Sequence, residues 1–321
     1  MTMPAPEITE TTVRESGAHG EVQFPLIVLS GADPGPRVAI LAGMHGAEYA
    51  GIAAAYELVS ELRLLPLRGT VKLIPILNLP AFFRRSEQLS PIDDRELHYL
   101  WPQESESSHS HHLMDLVFRT VADADVVVDL HGGGFTQSLV PHVNIPSIEH
   151  ADDLWERCVR LARCFDVPFI CQRSVRETPL ALPTALLERG IPNIWTEIGD
   201  RGSTDRSYIQ QQRDGLLNLL RYVGCLPGQS RLHDSPLVGP RHWSLIADVD
   251  GLWWPNVEAG QRVEKNQSLG RIVDVFGHVK KTYSAPADAL IKYVCISPAI
   301  DASRQPHGYR WHQGLVQMVE V

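Results

Sequence analysis

Four short apolar runs punctuate the first 200 residues of this 321-residue chain, and each ends in residues able to do chemistry. They are Arg37–Met44 (RVAILAGM), Thr70–Asn78 (TVKLIPILN), Ala124–Gly134 (ADVVVDLHGGG) and Ile191–Asp200 (IPNIWTEIGD). Runs this short, apolar at consecutive rather than alternate positions, predict strands buried on both faces. Pro75 weakens the second, because proline has no N–H for the ladder. Helical patterns lie between and after them: Gly51–Leu62, the amphipathic Glu149–Phe165, and Ser207–Gly224, which stops at a glycine. Strands alternating with helices predict an α/β fold with a mixed, mostly parallel sheet flanked by helices. Such sheets bind ligands beyond the carboxyl ends of their strands. Here those ends carry His45 and Glu48, Asn78, Asp129 and His131, and Thr196 and Glu197.

From about residue 236 the texture changes to β-branched pairs separated by Gly, Asn and Asp turns, with no helical period. This predicts a smaller, all-β, barrel-like domain over 236–321, capping a catalytic domain over 1–235. Glu104–His112 (ESESSHSHH) reads as a solvated polar loop despite its histidines.

Composition narrows the partners. Lys+Arg number 29 against Asp+Glu 38, a net charge of −9, which argues against nucleic acid and anionic membrane as partners. No apolar run reaches the roughly 18–20 residues of a membrane span, and the N-terminus lacks the pattern of a secretory signal. Five cysteines, an odd number with no C-x-x-C pair, suit reduced thiols and a cytoplasmic location. G-x-S-x-G, G-x-G-x-x-G, Walker and H-E-x-x-H signatures are all absent. A homo-oligomer is left open.

Among the 14 histidines, His45 stands three residues before Glu48 at a strand end where a helix begins, a spacing that lets both side chains reach one ion. His131, at the end of a neighbouring run, adds a third ligand, and Asp129 is placed to orient a ligand imidazole. Two histidines and one carboxylate make a catalytic zinc set, so one Zn2+ per chain is expected. Glu197, at the fourth strand end, is the expected general base: it takes a proton from the activated water and hands it to the leaving nitrogen.

In order and separation, GMHGAEYAG, NLPAFFRR, SPIDD, DLHGGG and TEIG resemble the succinylglutamate desuccinylase/aspartoacylase family of zinc carboxypeptidase-like hydrolases. The resemblance runs from about residue 37 to the C-terminus and implies a zinc-carboxypeptidase-like fold. It implies zinc on His45, Glu48 and His131, Glu197 as base, and hydrolysis of an N-acyl amide bond on a small molecule. The family's Asn-Arg pair, which holds a substrate carboxylate, is replaced here by His98 and Tyr99, and an upstream Arg by Gln88. Losing a planar guanidinium is not a conservative change. The expected substrate-binding residues are therefore Asn78, Arg84, Arg85, Gln88, His98 and Tyr99. The expected substrate is a small N-acyl compound, amino-acid-derived or an amine, without the usual carboxylate contact. Positive charge elsewhere in the pocket would restore a carboxylate-bearing substrate. An esterase of the same family and a non-catalytic metal-binding sensor are the alternatives.

Overall fold

The computed structural model of the chain describes residues 5–101, 108–147, 152–174, 181–302 and 314–320. Four strands form the middle of the large sheet: β3 (Asp33–Ala42), β4 (Arg68–Ile74), β5 (Val126–His131) and β9 (Asn193–Glu197). They lie side by side and parallel in the order β4-β3-β5-β9. β4 stops just before Pro75, where the missing N–H would break the ladder.

Their consecutive apolar residues follow from two covered faces. Val38, Ile40 and Ala42 of β3 join one core with Ile52 and Leu58 of α1 (Tyr49–Leu62), Cys158 and Leu161 of α4 (Asp152–Ala162), and Leu216 and Leu220 of α6 (Arg206–Tyr222). The intervening Ala39 and Leu41 face a second core with Leu113 and Val117 of α3 (His109–Val121) and Ala185 of α5 (Ala181–Glu188). Side chains alternate across a strand, so a strand between two helix layers has no polar face to show.

The sheet is mixed. An antiparallel hairpin of β1 (Glu7–Gly17) and β2 (Gly20–Ser30) joins it at β4, a segment for which the sequence suggested no element. On the other side β7 (His142–Ser147) runs antiparallel to β9, with β8 (Phe169–Ser174) parallel to β7. The short β10 (Leu237–Val238) then adds parallel to β8.

The C-terminal region holds two antiparallel sheets around a third core that includes Trp253, Leu269, Ile291 and Val316. One sheet contains β16 (Ala289–Cys295) and β18 (Gly314–Val319), and β6 (Gln137–Leu139) pairs with β16. That pairing carries C-terminal side chains to the mouth of the large sheet. No helix among the described residues is long and apolar enough to cross a membrane.

One sequence expectation is overturned. Ser108–His112 is not a solvated loop but the start of α3, while Glu104–Ser107 lie outside the described residues. The Ser108 side chain accepts from the His111 N–H at 3.2 Å, a helix N-cap, and Ser110, His111 and His112 are buried. His112 Nε2 meets Glu15 at 2.9 Å, so this histidine belongs to the packing of α3 against the hairpin.

Candidate metal centre and active site

His45 and Glu48 sit on the turn between β3 and α1, and Glu48 is the residue preceding the helix. Two glycines shape that turn. Gly43 has φ +67°, and any side chain at Gly46 would meet the Ala81 carbonyl oxygen at 2.2 Å. His131 ends β5 beside Glu197 of β9, its register partner. Behind them Gln212 of α6, fully buried, ties the two strand ends together. Its side-chain amide donates to the His131 and Ile198 carbonyls at 3.2 and 2.6 Å and accepts from the Thr196 hydroxyl at 2.8 Å.

The donor atoms of His45, Glu48 and His131 lie within 4.8 Å of one another, all buried. His45 Nδ1 is 2.8 Å from Glu48 Oε1, His131 Nδ1 is 3.0 Å from Glu48 Oε2, and the two Nδ1 atoms are 3.2 Å apart. Two imidazole nitrogens on one tetrahedral zinc, each at about 2.0–2.1 Å, stand about 3.3–3.4 Å apart. Two ring nitrogens cannot both keep a proton comfortably at such a distance. A cation among the three donors removes that conflict, so the residues fit a metal.

The remaining imidazole nitrogens face carboxylates. His45 Nε2 donates to Glu96 Oε1 at 2.7 Å, and His131 Nε2 lies 3.1 Å from Asp129 Oδ2. Carboxylates behind ligating imidazoles fix the ring and raise its basicity. Asp129 was legible from its place in DLH. Glu96 was not, because it lies 51 residues from His45 and reaches it only through the fold. Glu96 also caps the 3₁₀ turn Leu97–Tyr99, accepting from the His98 backbone N–H at 3.3 Å, so one carboxylate sets both the ligand ring and the aromatic wall. In Glu96→Gln, metal affinity is expected to fall about 10–100-fold, read by competition with a chelating dye. Unchanged affinity would remove Glu96 from this role.

Electrostatics divide the site in two. Burial opposes charge on His45, but Glu48 and Glu96 outweigh it and raise its pKa to about 10. Burial likewise opposes charge on His131, and Asp129 and Glu48 lift it well above the ordinary value. Burial works against the Glu48 carboxylate, yet the His45 and His131 charges hold it at about 2. His98 goes the other way: burial, then the charges on His131 and His45, keep it well below its usual value and hence neutral. Burial, reinforced by Glu48, pushes Glu197 up to about 7 against the pull of His131, Lys292 and His45.

A cavity of about 140 Å³ opens onto this cluster, sized for one small molecule. Glu197, Gln88, His98 and Tyr99, singled out in the sequence, line it together with Trp195, Arg173 and, from the C-terminal region, Tyr293 and Gln317. His98 packs edge-on to His131 and Trp195, at 5.2 and 5.7 Å between ring centres. The other three expected substrate residues do not line the cavity. Asn78 is the N-cap of α2 (Leu79–Arg84), its side chain accepting from the Ala81 N–H at 3.2 Å. Arg84 and Arg85 close that helix and point their exposure to solvent.

Lys292 of β16, though only 2% exposed, enters from the C-terminal sheet. Its ammonium stands 3.3 Å from His142 Nε2 and 3.8 Å from Cys171 Sγ. His142 Nδ1 donates to the Val140 carbonyl at 2.9 Å, which leaves Nε2 to accept from the lysine.

A buried His-Glu-His donor set at the carboxyl ends of parallel strands, with a carboxylate of raised pKa beside it, makes a candidate metal centre on an α/β sheet. The family model for the succinylglutamate desuccinylase/aspartoacylase catalytic domain matches residues 34–223. The chain belongs to the succinylglutamate desuccinylase/aspartoacylase family. It is 26% identical over 284 residues to the N-alpha-acetyl-L-2,4-diaminobutyric acid deacetylase of Halomonas elongata, covering 86% of this chain and 82% of that one. Two solved structures share its fold at 24% identity. One is the product-bound ectoine utilization protein EutE (DoeB) of Ruegeria pomeroyi, with a TM-score of 0.84 over 99% of this chain and 97% of that one. The other is a succinylglutamate desuccinylase of Silicibacter sp. TM1040, with a TM-score of 0.82 over 99% and 98%.

Proposed function

We propose that this protein is a metal-dependent hydrolase of the N-acyl amide bond of a small amino-acid-derived or amine substrate. The carrying observation is the convergence of His45, Glu48 and His131 beside Glu197 in one cavity. Names in the family, among them the Halomonas deacetylase, support the reaction class.

His45, Glu48 and His131 would hold the ion, and zinc is the first choice for two imidazoles and a carboxylate. Such a cation supplies Lewis-acid polarisation of the acyl carbonyl and lowers the pKa of water it coordinates. The protein's own residues do the rest. Glu197, raised by burial, is matched near neutrality to accept a proton from the attacking water and return it to the leaving nitrogen. Glu96 and Asp129 hold the ligand rings. His98 and Trp195 wall the cavity and exclude water from one side. Residues 236–321 act as a cap on the catalytic region 1–235, a reading supported by Tyr293 and Gln317 reaching the cavity.

The test is release of free amine from N-acetyl amino acids and N-acetyl amines, with acyl esters alongside, by protein reloaded with single divalent ions. Metal-dependent amide cleavage is the expected result. Ester cleavage alone would make the protein an esterase, and failure on every substrate with every ion would end the hydrolase reading.

A further inference from the structure

The large sheet has two outer edges, and they are built differently. At one edge β10 is two residues long and sits between Pro236 and the Gly239-Pro240 pair, so it offers almost nothing to another strand. The other edge is β1, eleven residues in unbroken register with β2 from Glu7–Ser30 to Gly17–Gly20. No described strand lies on its outer side. β1 contains no proline and no bulge, and Thr9, Thr11 and Thr12, good strand formers, are exposed on it. Two of its charged side chains are engaged by the helices instead of guarding the edge. Glu10 pairs with Arg63 at the end of α1, and Glu15 meets His112 and Arg119 of α3 at 2.9 and 2.8 Å. Arg14 is exposed and has no carboxylate partner among the described residues.

The hairpin turn fixes which main-chain groups point outward. A two-residue loop, Ala18-His19, closes the Gly17–Gly20 pair, and such a closing pair exchanges hydrogen bonds. Bonded and non-bonded pairs alternate along an antiparallel ladder, so Thr12–Pro25 is a non-bonded pair, in keeping with a proline that has no N–H to give. The amides of Ile8, Glu10, Thr12, Arg14 and Ser16 are therefore directed away from β2, to the open edge.

We propose that β1 is a self-association edge, pairing antiparallel with β1 of a second copy of this chain about a two-fold axis at Thr12. A two-fold normal to the sheet keeps each face on its own side and makes the contact isologous. Thr12 then lies opposite the partner's Thr12, and Val13 opposite the partner's Thr11. Arg14 lies opposite the partner's Glu10, and by symmetry Glu10 opposite the partner's Arg14. Opposite charges directly across a ladder stabilise it, and here the strand's own sequence supplies them twice. Neighbouring registers lack this match. Moving the axis to Thr11 sets Glu15 against the partner's Glu7, and moving it to Val13 leaves Arg14 opposite a threonine. The outward amides of the two strands would exchange roughly ten main-chain hydrogen bonds, joining two nine-stranded sheets into one.

Sedimentation velocity of the full-length protein over a concentration series should show a dimer in equilibrium with monomer. Arg14→Glu sets like charges opposite each other twice and should raise the dimer dissociation constant about tenfold or more. Thr12→Pro removes an N–H that β2 does not use and should leave only monomer, with circular dichroism reporting that the fold is kept. Crosslinking reads the register directly. All five native cysteines are buried, so a thiol placed on β1 reports alone. Thr12→Cys should form an interchain disulfide under mild oxidation, because opposite Cα atoms in a bonded pair stand about 5.5 Å apart. Thr9→Cys should not, since its two copies would be displaced by roughly 20 Å along the strands. A monomer at every concentration, a dimer indifferent to Arg14→Glu, or crosslinking through Thr9 as strong as through Thr12 would overturn the pairing. None of these measurements uses turnover, so their outcome is independent of the hydrolase reading.

Discussion

Glu197→Gln lowers kcat on an N-acyl substrate by about 10²–10⁴-fold, the usual contribution of a positioned general base, while the protein keeps its metal. The amide has nearly the size of the carboxylate but no basic oxygen, so the proton of the attacking water has nowhere to go. Metal retention follows from the ligand set, because His45, Glu48 and His131 form the donor cluster without Glu197. The variant also removes a group that burial makes costly to ionise, so its thermal stability should not fall. Steady-state kinetics, metal content and a melt on the same preparation check all three. A variant that loses metal with its activity would make Glu197 a ligand or a support rather than a base. Unchanged turnover would remove it from the chemistry. In wild type the same group should set the acid limb of kcat/KM. Burial holds its pKa at about 7, so the limb should lie near neutrality.

The parts of this molecule that showed in the sequence are those in which neighbours along the chain are neighbours in space. The buried strands were legible because two covered faces force consecutive apolar residues, and their ends named His45, Glu48, His131 and Glu197 as candidates. Residues brought together by non-local pairing were not legible. Arg173 stands in an ordinary polar stretch, and only the pairing of β7 with β9, and of β8 with β7, carries it to the cavity. Lys292 and Tyr293 arrive because β16 pairs with β6, strands about 150 residues apart in the chain. Asn78, Arg84 and Arg85 show the converse, since they do not line the cavity. They sit near the motif in sequence, but helix formation spends Asn78 on a cap and leaves the arginines on an exposed terminus. Ser108 misled through composition: a polar, His-rich segment suggested solvent, whereas a serine before an amphipathic period was the helix signal.

Metal affinity should rise with pH by about 10–100-fold per pH unit between pH 6 and 8, because binding must expel one to two protons from the ligand imidazoles. In the protein stripped of metal, Glu48 and Glu96 raise the pKa of His45 to about 10, and Asp129 and Glu48 lift His131 well above its ordinary value, so metal has to displace protons that these carboxylates favour on the rings. Glu48, held at about 2, is already ionised and contributes none. Calorimetric titrations in buffers of different ionisation enthalpy count the protons directly, and a pH-independent affinity would mean that the imidazoles are neutral beforehand. The same groups bend the stability of the stripped protein the other way. His45 has a folded pKa above its unfolded value, so its stabilising contribution is full below about pH 6.5 and is lost as pH rises through about 10. Glu48 is depressed, so its contribution is present above its unfolded value and is lost as pH falls towards about 2. Stripped protein should therefore weaken on the alkaline side, over the range where loaded protein gains from tighter binding. The rise in Tm on adding metal should grow with pH, and a shift that shrinks as pH rises would contradict the charge arrangement around His45.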